Sequence, residues 1–300
     1  MSHRRFLSAA RWRIAALSNA MLAAPAWAVV DEGTTAQVAQ GLALIDPWMP
    51  ALLLVWLALG AWSWWRISLP LRARRQLRVQ LGADAPADVA PSRGLLWLAA
   101  ACALLLVLLS WVVADPSHAG HAQLVAWDRA AQTWSQHHVS APIRQILQHV
   151  TDTGDVLWLG LLSCGVALVL AARRRWLVLQ AWVFAIVLNG LVTRVLKNSF
   201  NRERPEALVA LVTSGASYPS GHTAGAIIVY GMLWLVLRGR VSARWRMLVG
   251  VLLAALVALI STSRVLLEAH FASDVLAGAL LGVAIWSLAA WALARSQAIN

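Results

Sequence analysis

The stretch from Ser263 to Asp274, SRVLLEAHFASD, places an arginine, a histidine and a carboxylate between two long apolar runs. His270 and Asp274 are four residues apart, so their side chains share one face of a helix that begins near His270. The carboxylate can then accept the imidazole N–H, which leaves the other ring nitrogen free to act. Arg264 precedes His270 by six residues, and its guanidinium can hold an anion against that nitrogen.

A second polar cluster, KNSFNRERP, runs from Lys197 to Pro205 at the end of another apolar run. Lys197 is the only lysine of the chain, which contains 24 arginines. A lone lysine at a helix end can simply place its charge at the membrane surface. With Arg202 and Arg204, however, three cations lie within eight residues, which favours a bound anion.

The third cluster, Tyr218-Pro219-Ser220-Gly221-His222, comes directly before an apolar run. Proline and glycine indicate a tight turn, and Ser220 can cap the helix that follows. The first backbone N–H groups of that helix, including that of Gly221, then point outward as an anion site. A turn with a purely structural role fits the same pattern, although a histidine at the mouth of a membrane span is unusual.

Two other kinds of chemistry are open to these residues. His222, His270 and Asp274 have the types of a known metal triad. The clusters also supply three cations: Lys197, Arg204 and Arg264. These cations would repel a divalent metal and attract phosphate, so we expect no metal and no cofactor. A serine hydrolase that uses Ser220 with histidine and aspartate partners is possible, but it gives the cations no role.

The composition predicts a polytopic membrane protein. The 300 residues are 60% hydrophobic and only 13% charged, with a mean hydropathy of +0.66. The formal charge of +12 comes from arginines in short connectors rather than from a basic helix, so we expect no nucleic-acid partner. Cys102 and Cys164 lie inside apolar runs, so neither a disulfide nor a metal cluster is implied.

The N-terminal part resembles a secretory signal. Residues 1–28 have a basic start, a modest apolar stretch and the small-x-small sequence Ala26-Trp27-Ala28. An uncleaved anchor helix is the alternative. We expect the polar residues 29–47 to lie outside the cytoplasm.

Apolar runs of nearly membrane-spanning length predict an all-α bundle with seven spans. The predicted spans are 48–65, 94–114, 155–172, 176–196, 222–238, 246–263 and 271–294. The first is an appendage, because the basic and then Ala/Asp/Pro-rich connector 66–93 reads as a flexible linker. The domains are therefore a signal-like segment (1–28), an extra span with its linker (29–93) and a six-span core (94–294).

The arginines predict the orientation of the bundle. Fourteen of them lie in the connectors 66–93, 173–175 and 238–246 or at Arg295, which places these parts in the cytoplasm. The loops that carry the three polar clusters then face outward. The outer loop 115–154 has the pattern of short interfacial helices, and its five histidines lack the spacing of a zinc site.

The clusters match K-x6-R-P, P-S-G-H and S-R-x5-H-x3-D in order and spacing. The chain thereby resembles the type-2 phosphatidic-acid phosphatase superfamily over residues 94–294. This resemblance implies a six-helix core with the motifs at the outer ends of its helices. The signal-like segment, the first span and the linker fall outside it.

The resemblance implies metal-independent phosphoryl transfer. His270 attacks phosphorus and becomes a phosphohistidine, while Asp274 fixes its tautomer. His222 protonates the departing oxygen and then activates water. Five groups are implied to hold the phosphate oxygens: Lys197, Arg204, Ser220, the backbone of Gly221, and Arg264.

A membrane-embedded core favours a lipid substrate over the chemistry of the soluble vanadium haloperoxidases that share the motifs. Undecaprenyl pyrophosphate, phosphatidylglycerophosphate, phosphatidic acid and lipid A are the classes that the resemblance implies. The signal-like segment and the arginine pattern suggest a bacterial inner membrane with an outward-facing site. A non-catalytic lipid-phosphate binder or transporter on the same core is the alternative, and the sequence does not indicate an oligomeric state.

Overall fold

The computed structural model describes residues 93–205 and 215–297, and the regular structure in this part of the chain is entirely α-helical. The eight described helices are α1 (Arg93–Ala114), α2 (His121–His138), α3 (Ala141–Asp152), α4 (Val156–Ala172), α5 (Trp176–Phe200), α6 (Gly221–Leu237), α7 (Ala243–Leu266) and α8 (Ala272–Gln297). The predicted all-α fold is confirmed. The predicted signal-like segment 1–28, the span 48–65 and nearly all of the linker 66–93 lie outside the described residues.

Five described segments are long and apolar enough to cross a membrane: α1, the continuous segment Ala141–Ala172, α5, α7 and α8. Helix α6 has only 17 residues and rises about 26 Å, slightly less than the ~30 Å of a hydrocarbon core. Nine of its residues are buried, on all sides of the helix. Helix α6 is therefore enclosed by protein, and the bundle around it meets the lipid.

The surface of the bundle is apolar. Val156, Met247 and Trp97 are 81%, 78% and 72% exposed, and many leucines also face outward. Polar side chains such as Asp128 and Asp274 are instead buried. An apolar exterior around a partly polar interior is stable when the surrounding solvent is lipid, which supports the predicted membrane location.

Helices α2 and α3 lie in the loop 115–154, for which the sequence predicts short helices. The Ser135 hydroxyl of α2 donates to the carbonyl of Leu266 at 2.6 Å. Arg144 of α3 forms a 3.0 Å ion pair with Glu268, which also accepts a hydrogen bond from Gln136 of α2. Both helices are thereby fastened to the corner between α7 and α8.

The arginine-rich connectors and the polar clusters lie at opposite ends of the helices. The turn Arg173–Arg175 precedes α5, whereas Lys197 lies in its last turn. The intervening 22 residues rise about 33 Å, close to the thickness of the hydrocarbon core. The three polar clusters therefore share the end of the bundle opposite to the arginines.

Helix α8 approaches the turn before α6 very closely. The backbone N–H of Ser220 donates to the carbonyl of Asp274 at 2.9 Å. A Cβ on Gly278 would lie only 2.5 Å from the carbonyl oxygen of Ser220. Glycine at this position is what lets α8 hold the turn in place.

We expect Gly278→Ala to lower the free energy of unfolding by about 1–3 kcal/mol, because the new methyl group meets backbone that cannot move aside. The measurement is thermal unfolding in detergent. Gly165→Ala is the matched control, since the space around Gly165 in α4 is open. Equal melting temperatures for both variants would contradict the close contact.

Candidate active site

His270 lies at the corner between α7 and α8 and is 3% exposed. Its Nε2 is 3.3 Å from Nη1 of Arg204, and its Nδ1 is 3.3 Å from the Ser217 hydroxyl. A guanidinium can only donate, so Nε2 accepts in this contact and the ring proton is on Nδ1. The lone pair of Nε2 therefore points toward a cation.

The contact between His270 and Asp274 differs from the predicted one. Helix α8 begins at Ala272, so His270 precedes it, and its Nδ1 is 3.7 Å from Asp274 Oδ2. This distance is too long for a hydrogen bond. The Ser217 hydroxyl contacts both groups, since it donates to Asp274 Oδ2 and lies beside Nδ1. Ser217 thus connects the pair, and no sequence motif had indicated it.

Asp274 is completely buried in the first turn of α8. Besides Ser217, its carboxylate accepts the backbone N–H of Phe271 at 2.9 Å and a hydrogen bond from Arg202 Nη1 at 2.7 Å. These donors stabilise the ionised form of the carboxylate.

Arg202 and Asp128 are two further residues that the sequence motifs did not indicate. Arg202 Nη2 donates to Asp128 Oδ2 at 2.8 Å, and Asp128 also accepts from the N–H and hydroxyl of Ser273, at 2.9 and 2.6 Å. Asp128 is the single carboxylate of the interfacial helix α2. That isolated acid and the surplus of cations near Lys197 were the only signals available in the sequence.

The cations of the motifs lie around the same corner. Arg204 donates to the carbonyls of Ala269 and Gly215, at 2.8 and 3.0 Å, and Lys197 donates to the carbonyl of Ala216. These bonds hold Arg204 next to His270 and hold Lys197 against the segment that leads to Ser217.

Arg264 is 3% exposed, and its Nη1 donates to the Thr151 hydroxyl at 3.1 Å. Its Nε is buried without a hydrogen-bond partner in the described part of the chain. A buried donor of this kind is costly unless it is satisfied. An anionic ligand would satisfy it.

His222 is the second residue of α6, after Gly221. The hydroxyl of the cap residue Ser220 accepts the N–H of Thr223 at 3.5 Å. The Nε2 of His222 is 3.7 Å from Oδ2 of Asp155, the residue that caps α4. Four charged or titratable groups act on His222 electrostatically: Arg264, His270, Arg204 and Lys197. The structure therefore brings the histidines and cations of all three clusters together.

The local electrostatics favour an anion and a neutral histidine. Lys197, Arg204 and Arg264 have no carboxylate in direct contact within the described residues, so the space near Nε2 is positive. Burial, together with the charges of Arg204 and Arg264, lowers the pKa of His270 to about 4, although contact with Asp274 opposes the shift. The His270 ring is therefore uncharged near neutral pH.

Comparison with known proteins gives one family match and two curated relatives. Residues 179–298 match the family model of the PAP2 superfamily. The chain is 33% identical over 102 residues to phosphatidylglycerophosphatase B of Bacillus subtilis, covering 33% of this chain and 50% of that protein. It is 34% identical over 106 residues to lipid A 1-phosphatase of Porphyromonas gingivalis, covering 35% of this chain and 22% of that protein. The chain thus spans half or less of these curated relatives.

A solved structure shows the same fold. It is the crystal structure of a transmembrane PAP2-type phosphatidylglycerolphosphate phosphatase from Bacillus subtilis, with a TM-score of 0.58 and 22% sequence identity. The match covers 65% of this chain and 94% of that one. The resemblance predicted from the three motifs is therefore confirmed: residues 179–298 match the PAP2 superfamily model, and the solved structure shows the same fold.

Proposed function

We propose that this protein hydrolyses a lipid phosphate or pyrophosphate, without a metal ion, through a phosphohistidine at His270. The observation that carries the proposal is that the two nitrogens of the His270 ring face different groups. Its Nδ1 faces Ser217 and Asp274, and its Nε2 faces the guanidinium of Arg204. A neutral imidazole whose lone pair points into a cationic space is suited to attack an anionic phosphorus centre.

In the first step, Nε2 forms a bond to phosphorus as the bond to the leaving oxygen breaks. The ring becomes positively charged, and Asp274 stabilises that charge through its own carboxylate and the Ser217 hydroxyl. Burial and the nearby cations disfavour a charged His222, and the bound phosphate anion offsets those cations. The protonated His222 then gives its proton to the leaving oxygen, so the lipid alcohol or phosphate departs in a stable protonation state.

In the second step, His222 takes a proton from water, and the resulting nucleophile attacks the phosphohistidine. The bond between phosphorus and Nε2 breaks, which returns His270 to its neutral form and releases inorganic phosphate. Both steps need His222 on the side of phosphorus opposite to His270. Its place in the first turn of α6, at the same end of the bundle as His270, supports this role.

The proposed phosphate ligands are fixed donors that surround the reaction site. They are Lys197, Arg204, Arg264, the Ser220 hydroxyl and the backbone N–H of Gly221. Charge builds on the equatorial oxygens in the transition state, so the loss of one donor typically costs about 3 kcal/mol. The unpaired Nε of Arg264 supports its assignment to this set.

A lipid substrate agrees with the position of the site at the helix ends, beside an apolar surface. An acyl or isoprenyl tail can stay in the bilayer while its phosphate reaches His270. The names of the two relatives mention phosphatidylglycerophosphate and lipid A. We propose these two, phosphatidic acid and undecaprenyl pyrophosphate as the candidates, and a bacterial inner membrane with the site outside as the location.

We expect the purified protein to release phosphate from at least one of these four lipids in detergent, with no loss of rate in EDTA. His270→Ala should lower kcat by at least about a thousandfold, because the nucleophile is removed. Phosphate release is the measurement, and His137→Ala, an exposed histidine of α2, is the matched control.

Two results would contradict this proposal. Unchanged release by His270→Ala would remove the nucleophile assignment. Lipid binding by the unaltered protein that persists in His270→Ala, with no phosphate released from any of the four lipids, would favour the non-catalytic binder or transporter.

The protonation of His270 gives a second prediction. Its pKa in the folded protein lies near 4, below the ordinary 6.5, so the ring should stay neutral as the pH falls from 7 to 5. The unfolded chain binds the proton first, so this residue should lower the stability of the protein as the pH drops below 6.5.

Nitrogen NMR of histidine-labelled protein measures this titration. The resonances of His270 are assigned by their loss in His270→Gln. A midpoint at or above pH 6.5 would contradict the neutral nucleophile.

The orientation gives a third prediction. In a background without Cys102 and Cys164, we expect Ala119→Cys to react with an impermeant thiol reagent on intact cells, because the arginine-poor end faces outward. Gly239→Cys, in the arginine-rich connector after α6, should react only after permeabilisation. The reverse pattern would place the site in the cytoplasm.

A further inference from the structure

Arg202 lies between two buried carboxylates. One arm of its guanidinium donates to Asp274 at 2.7 Å, and the other donates to Asp128 at 2.8 Å. Asp128 and Asp274 are 2% and 0% exposed. We propose that Asp128 and Arg202 are positioning residues that set the place and the charge of Asp274, and through it the reactivity of His270. This inference rests on the proposed function.

The charge of the group is the first argument. Asp128, Arg202 and Asp274 together carry one net negative charge, which is buried beside His270. An Arg202–Asp274 pair alone would be neutral and would do less to stabilise a positive phosphohistidine. Asp128 also pairs with the guanidinium of Arg202, so Arg202 neutralises less of the negative charge of Asp274.

The geometry is the second argument. Asp128 accepts hydrogen bonds from both the backbone and the side chain of Ser273, the residue before Asp274. Arg202 also donates to the Ser273 hydroxyl at 2.7 Å, and its guanidinium lies 4.4 Å from the ring centre of Phe271. The first turn of α8 is therefore held from two sides.

The exact position of Asp274 matters because its contact with His270 is not direct. The two groups are 3.7 Å apart and are connected through the Ser217 hydroxyl. A small shift of Asp274 would break that connection. The ring proton would then no longer be held on Nδ1. In a ring whose proton moves to Nε2, that nitrogen has no lone pair free to attack phosphorus.

Glu268 offers a matched comparison. It is also a buried carboxylate, and its partners Arg144 and Gln136 fasten α3 and α2 to the same corner. Within the described residues, it makes no hydrogen bond or ion pair with Asp274 or Arg202. Loss of Glu268 therefore tests only the attachment of α2 and α3, whereas loss of Asp128 also changes the surroundings of Asp274.

The test compares Asp128→Asn with Glu268→Gln in full-length protein. Phosphate release from detergent-solubilised phosphatidic acid, phosphatidylglycerophosphate, lipid A and undecaprenyl pyrophosphate gives kcat and KM. We expect Asp128→Asn to lower kcat by about ten- to a hundredfold at an unchanged KM. Glu268→Gln should lower the melting temperature and leave kcat near the wild-type value.

Nitrogen NMR at neutral pH supplies a readout that does not depend on turnover. In the wild-type protein and in Glu268→Gln, the His270 proton should lie on Nδ1. In Asp128→Asn, a measurable fraction should move to Nε2. The charged groups that face this ring are the same in both variants: Arg204, Arg264, Asp274 and His222.

Arg202→Lys is the second variant, for use if Asp128→Asn does not fold, because one ammonium cannot bridge both carboxylates in the same geometry. It should reproduce the lower kcat and the shifted tautomer. Equal kcat and tautomer in the Asp128 and Glu268 variants would overturn the proposal, as would a wild-type tautomer in Arg202→Lys. If the wild-type protein releases no phosphate, the proposed function fails, and the tautomer still decides the positioning role.

Discussion

The corner between α7 and α8 depends on the burial of one ionised carboxylate, Asp274. A buried charge is stable only when it is paired and hydrogen-bonded, so Asp274 requires donors from several parts of the chain. Arg202 comes from the segment after α5, Ser217 from the segment before α6, and the N–H of Phe271 from the corner itself. The backbone carbonyl of Asp274 accepts the N–H of Ser220. One residue thereby aligns segments that lie far apart in the sequence.

The spans were predictable because they are local patterns. Long apolar runs gave α5 as 176–196, against Trp176–Phe200 in the structure, and gave α8 as 271–294, against Ala272–Gln297. Helices α2 and α3 of the loop 115–154 followed from amphipathic spacing in the same way. Their ends differ by a few residues, because a helix continues into the polar interface until a cap or a turn stops it.

The side-chain network was less predictable. Asp128 and Arg202 are 74 residues apart in the sequence. No short-range sequence pattern predicts that an acid in α2 contacts an arginine that follows α5. Ser217 also lacked a signal, since serine is common in turns. The motifs placed His270, His222 and the cations at one end of the bundle. They did not show that a hydroxyl stands between His270 and Asp274, because that depends on where α8 begins.

Asp155 is an exposed acidic neighbour of His222. Its side chain is 52% exposed, whereas that of His222 is 19% exposed, and the two lie 3.7 Å apart at the start of α4. The same carboxylate caps α4 and therefore stays in this place. The imidazole that gives up a proton in the proposed reaction therefore has an exposed acidic group beside it.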